Sequence, residues 1–159
     1  MEEKSQEAFV SVDVEIAGPN PAQYALLSIG TCLVSNPELG FYVELKPSSL
    51  NATTEALSVH QLSLEQLAET GLPPSEAMSR FETWLKAEVP AGYKPVFVAF
   101  NAPFDWMFVN DYFHRYLGRN PFGHTALDIK AFYMGLARVS WSDTAMKQVG
   151  PRFVENLKL

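Results

Sequence analysis

Asp13 and Glu15 stand two residues apart inside an otherwise apolar stretch, AFVSVDVEI at 8–16. In an extended strand both side chains leave the same face, with Cα atoms roughly 6.5 Å apart. One hard dication could touch both carboxylates, and such an ion commonly relieves the desolvation and mutual repulsion of paired acids on a central strand. A strand edge where both acids are solvated would explain the pair without an ion. A third acid, Asp105, follows the apolar run PVFVAF at 95–100 and lies near the start of a predicted helix, with Asn101 as its N-cap. The carboxyl end of such a strand is where open α/β sheets place their ligands. Taken alone, an acid in a first helical turn is ordinary stabilisation by the macrodipole.

The elements that would position these acids follow from periodicity. Val10, Val12, Val14 and Ile16 alternate with Phe9, Ser11, Asp13 and Glu15, which is a strand pattern. GPNP at 18–21 is turn chemistry; QYALLSIGTCLV and LGFYVELK, separated by SNPE, read as two further strands of an antiparallel meander. Ser63 and Gln66 stand at capping-box spacing, with Leu62 and Leu67 placed as the hydrophobic staple of a short helix. A longer helix from Pro74 should bury Ala77, Met78, Phe81, Trp84, Leu85 and Val89 and expose Glu82 and Lys86 as an i,i+4 pair. PVFVAF suits a central strand covered on both faces, and the helix after it carries Phe104, Phe108, Val109 and Tyr112. A last helical piece covers 126–137. Together these predict an α/β fold with a mixed β-sheet flanked by helices.

Composition sets the bounds. The chain has 159 residues, 47% hydrophobic and 19% charged, which predicts one globular domain over 1–159 with a disordered tail at 1–7. No stretch is long and apolar enough to span a bilayer, and MEEKSQEAFV lacks the basic start and apolar run of a secretory signal. Cys32 is the only cysteine, so an internal disulfide is excluded; inside LLSIGTCLV it reads as a small buried side chain, and a cytoplasmic setting is expected. The net charge of −6 argues against extensive duplex binding, though not against gripping a few terminal nucleotides through bound cations. Nothing resembles a P-loop, a dinucleotide fingerprint or a zinc site.

VDVE at 12–15 and FVAFNAPFDWMFV at 97–109 resemble the first two motifs of the DEDD-type 3′–5′ exonucleases, the DnaQ-like or ribonuclease T-like family. The intervening ALSVHQLSLEQLAETGLPPSEAMSRFETWL and the later ALDIKAFYMG are similar to the same family, so the likeness covers nearly the whole chain. The resemblance implies a ribonuclease H-like three-layer fold and removal of nucleotides from the 3′ end of single-stranded RNA or DNA, or of short oligonucleotides, with two divalent cations, Mg2+ or Mn2+. It implies that Asp13 bridges the ions, Glu15 holds the ion that activates water, and Asp105 supports the second, directly or through a water. It also implies that Ile16, Ala17 and Gly18 let the terminal nucleotide approach the backbone, that Asn101 and Phe104 line the substrate site, and that a homodimer is a compatible state. For these last residues the ordinary readings are a glycine turn and a core phenylalanine.

The family pattern is incomplete. No third motif with a fourth acid and a general base is found, and the chain stops at VGPRFVENLKL, where that segment would begin. The expectation is a chain cut short, with weak metal binding and slow turnover. His124 and Asp128 in HTALD are four apart where the family needs five, so they read as a helix approach with Thr125 or Asp128 in a turn or cap. His60 and His114 read as ordinary histidines. Two other readings stay open: an exonuclease-like domain retained as a nucleic-acid or protein binding module, and an unrelated acidic interaction domain.

Overall fold

Alternating valines make the first strand, and its apolar face fixes where the helices go. The computed structural model describes residues 6–59 and 62–153. Strand β1 (Glu7–Ile16) pairs antiparallel with β2 (Leu26–Leu33), which pairs antiparallel with β3 (Asn36–Glu44), as the meander requires. Strands β4 (Lys94–Ala99) and β5 (Ala126–Asp128) add in parallel on the other side of β1, giving a mixed sheet in the order β3-β2-β1-β4-β5. Of the tail expected at 1–7, Glu7 instead opens β1 opposite Lys94, and residues 1–5 lie outside the described residues.

Three short or medium helices follow β3: α1 (Thr54–Val59), which the sequence did not announce, α2 (Leu64–Thr70) and α3 (Pro74–Glu88). Ser63 caps α2 as expected, its hydroxyl accepting from Gln66 N–H at 3.2 Å, and Leu62 packs with Leu64 and Leu67. Helix α4 (Ala102–Leu117) leads out of β4. Helices α3 and α4 cover the face of β1 that carries Val10, Val12, Val14 and Ile16, and their aromatic rings interlock there. Phe81 stacks on Phe41 at 5.6 Å and on Phe113 at 5.4 Å, and Phe97 meets Phe122 edge-on at 5.3 Å.

Two expectations need correcting here. Residues 126–128 are an edge strand, and only Ile129–Ala137 is helix (α5); Ala99 and Asp128 stand in register, a pairing that a local pattern does not show. Glu82 is not exposed: it is 8% accessible and takes both Arg119, through a fork of two 2.8 Å bonds, and Lys86 at 2.9 Å. The chain ends its described course in a 3-10 turn (Trp141–Thr144) and helix α6 (Met146–Phe153).

Candidate active site

The site forms where β1 outruns its neighbour. Pairing between β1 and β4 stops at Ser11 and Val98, whereas β1 continues along β2 through Asp13 opposite Gly30 and Glu15 opposite Ser28. On the side that β4 has left, the Val14 N–H is taken by Oδ1 of Asp105 at 3.2 Å, a bond between residues 91 apart. Asp105 can reach it because α4 starts immediately after β4, placing this acid in the first turn of the helix. The start of α4 is built unusually. Asn101 stands at the N-cap position in the left-handed region (φ 66°, ψ 47°), which asparagine tolerates better than most residues, and its side chain makes no capping bond. Asp128 caps in its place, accepting from Ala102 N–H at 3.1 Å while also capping α5 through Lys130 and Ala131 N–H.

The electrostatics of these acids are unfavourable without a cation. Asp105 is 7% exposed, and its pKa is pushed up to about 7, first by burial and next by the charge of Asp13, with a smaller push from Glu15. Bonds from the Val14 and Asp105 N–H groups pull the other way without winning. Asp13 opens to solvent at the surface of β1, yet the protein around it still raises its pKa by partial desolvation. In front of it lies a cleft of about 480 Å³, lined also by Ser11, Gly30, Cys32, Gly40 and Tyr42. Gly30 keeps that space open, because it faces Asp13 across the strand pair without a side chain. Cys32 is half-buried on this cleft and not in the core as expected.

The donor chemistry fits divalent metal: three carboxylates, one nearly buried and disfavoured as an anion, gather at one strand end. They are neighbours and not yet a cage, since no three His, Cys, Asp or Glu side chains among the described residues already converge to hold an ion. Phe104 is 38% exposed on the first turn of α4, its ring edge-on to Phe108 at 6.2 Å. Ile16, Ala17 and Gly18 lie at the end of β1 and just beyond it. All three are buried; Ala17 N–H donates to Ala25 O and Ala17 O accepts from Thr53 N–H, both at 2.9 Å. Gly18 is glycine because any side chain would strike the Tyr24 ring. His114 and His124 are exposed, and His60 lies outside the described residues. Tyr42, Glu44 and the buried Ser28 lie on the same sheet face as Asp13 and Glu15, and for Tyr42 and Glu44 the alternation in GFYVE was the available signal.

A mixed sheet in this order, flanked by helices, is the ribonuclease H-like fold. The chain is 48% identical over 144 residues to the 3′–5′ DNA exonuclease Cap18 of Escherichia coli, covering 91% of this chain and 77% of that protein. It belongs to the DEDD-type 3′–5′ exonuclease family and is a 3′–5′ exonuclease, a hydrolase of nucleic acid whose family depends on divalent metal. The nuclease domain of 3′hExo, a DEDDh family member bound to rAMP, superposes with a TM-score of 0.71 at 16% identity, covering 91% of this chain and 77% of that one. The zinc-bound form of the Escherichia coli exonuclease I–ssDNA complex superposes with a TM-score of 0.64 at 15% identity over 83% of this chain. This chain spans 30% of the exonuclease I chain. No protein-family model matches the chain. Among the described residues no helix is long and apolar enough to cross a membrane.

Proposed function

We propose that this exonuclease releases nucleotides from the 3′ end of single-stranded DNA with Asp13, Glu15 and Asp105 holding two divalent cations, magnesium or manganese. The observation that carries the reading is Asp105, buried against Val14 N–H beside Asp13 and Glu15, an arrangement that costs stability unless a cation shares the charge. The choice of DNA follows the name of Cap18, to which nearly half of the aligned residues are identical. When bound, the metal supplies Lewis acidity toward the attacking water and the leaving 3′ oxygen. The chain's own residues set the geometry: β1 presents Asp13 and Glu15 on one face, and the Val14 N–H holds Asp105 in one orientation. Phe104, exposed beside these acids, offers a ring for a terminal base.

On this reading Asp13, Glu15 and Asp105 supply three of the carboxylates of the site. A cytoplasmic setting, in which Cys32 stays a thiol, and a homodimer belong to the same proposal. The test is manganese-dependent degradation of a 3′-labelled single strand by the wild type and by Asp13→Ala. Cutting that Asp13→Ala abolishes supports the proposal. A folded protein that binds manganese and never cuts would instead be a binding module.

A further inference from the structure

Residues 129–153 differ in charge from the rest of the chain. They hold four cations, Lys130, Arg138, Lys147 and Arg152, against the single acid Asp143, a local +3 in a chain of −6, so all other residues together carry −9. None of the ion pairs among the described residues uses these four. The same segment exposes large rings: Trp141 is 51% accessible, Phe132 59% and Phe153 69%. It is an ordered unit, because Tyr133, Thr144 and Val149 are buried within it and cross-links tie its pieces together. Lys130 Nζ lies 4.3 Å over the Trp141 ring, Arg152 donates to the Tyr133 hydroxyl at 2.7 Å, and Phe153 meets Tyr133 edge-on.

Exposed rings interleaved with cations are the composition that binds single strands, by base stacking and phosphate neutralisation together. The core of a protein–protein interface would be depleted in charge. Position supports the same occupant. The unit begins directly after Asp128, whose carboxylate accepts from Ala102 N–H, so it leaves the sheet at the end where Asp105 sits. The cleft over β1–β3 presents Asp13, with Glu15 and Glu44 on the same face, and without bound cations these acids repel phosphate. Bound cations would hold only the terminal nucleotides, so the strand upstream needs attraction from elsewhere.

We propose that the Lys130–Phe153 surface binds the single-stranded nucleic acid upstream of its 3′ end and feeds that end to the carboxylates. The proposal rests on the exonuclease reading for the direction of feed, but the binding itself does not require cutting. It is therefore tested in EDTA, by fluorescence anisotropy with labelled single-stranded DNA of about 20 and about 3 nucleotides, lengths that do and do not exceed a single-fold footprint. Trp141→Ala combined with Lys147→Gln should weaken the long strand about tenfold or more, removing its advantage over the short one, while Trp141→Phe keeps most of the affinity. Lys147→Gln alone should lower the slope of log affinity against log salt by about 0.7, a change that a merely structural defect would not produce. Unaltered long-strand binding in the double variant, with its melting temperature preserved, overturns the proposal. Unaltered strand binding with a dimer turned monomer in sedimentation also overturns it, assigning the surface to a second copy of the chain. If the wild type shows the length-dependent binding but never cuts with manganese, the exonuclease reading falls and this surface stands.

Discussion

Glu82 on α3 and Asp105 on α4 are almost equally buried, at 8% and 7% exposure, and their surroundings are opposite. Glu82 receives the fork of Arg119 and the ammonium of Lys86, and those bonds hold its carboxyl below the usual glutamate range. Asp105 receives the Val14 N–H, but burial and the nearby Asp13 push it up to about 7. A buried acid with its cations in place is part of the architecture. A buried acid surrounded by other acids has had its stability compromised for something the polypeptide does not itself supply, and hard cations are the chemistry that completes it.

The largest test of this contrast is turnover. Asp105→Asn keeps the acceptor for Val14 N–H but removes the charge, and manganese-dependent cutting should fall on the order of a thousandfold. Glu82→Gln should leave cutting per folded molecule unchanged, because the Glu82 network makes no contact with the acids of β1. Comparable losses in both variants would erase the distinction drawn between them.

Stability should move in opposite directions. With metal chelated, Asp105→Asn should gain on the order of 2 kcal/mol at pH 8, read from denaturant midpoints, since a disfavoured buried charge is gone. The sign with pH follows from linkage. Asp105 binds its proton more tightly folded than unfolded, so wild-type stability falls as pH rises from about 4 to about 7 and levels off above that, and the gain in Asp105→Asn should vanish toward pH 4. Manganese should raise the wild-type melting temperature at pH 8 and leave Asp105→Asn far less affected. Glu82→Ala should lose about 1–2 kcal/mol, a figure held down because Arg119 and Lys86 are largely exposed and regain water. Its contribution is present above the ordinary glutamate range and is lost as pH falls through the depressed folded value.

The same contrast shows what a sequence discloses. Asp13 and Glu15 were legible because a strand's period of two puts them on one face whatever the rest of the chain does. Asp105 was legible because an apolar strand running straight into a helix fixes the first turn at the sheet's carboxyl end. Glu82 was misread because its local partner Lys86 gives a complete i,i+4 explanation, while Arg119 approaches from 37 residues away. Asn101 misled similarly: asparagine is both a good cap and a tolerated left-handed residue, and only the distant Asp128 carboxylate decides between them. Strand β5 depends wholly on pairing with β4, and three residues carry too little periodicity to announce it.

The smallest effect sharpens the reading of Glu82 itself. Lys86 and Arg119 both bond its Oε2, but Arg119 holds both oxygens through a planar fork, whereas Lys86 offers one point charge from the next helical turn with a side chain 66% exposed. Lys86→Met keeps most of the apolar stem along α3 and should cost only about 0.3–0.5 kcal/mol. High salt should shrink that cost further, because an exposed ammonium is screened within a few ångströms of solvent. A loss from Lys86→Met as large as that from Arg119→Met, undiminished by salt, would show that Glu82 depends on two equal partners and that the arginine fork is not what keeps this acid buried.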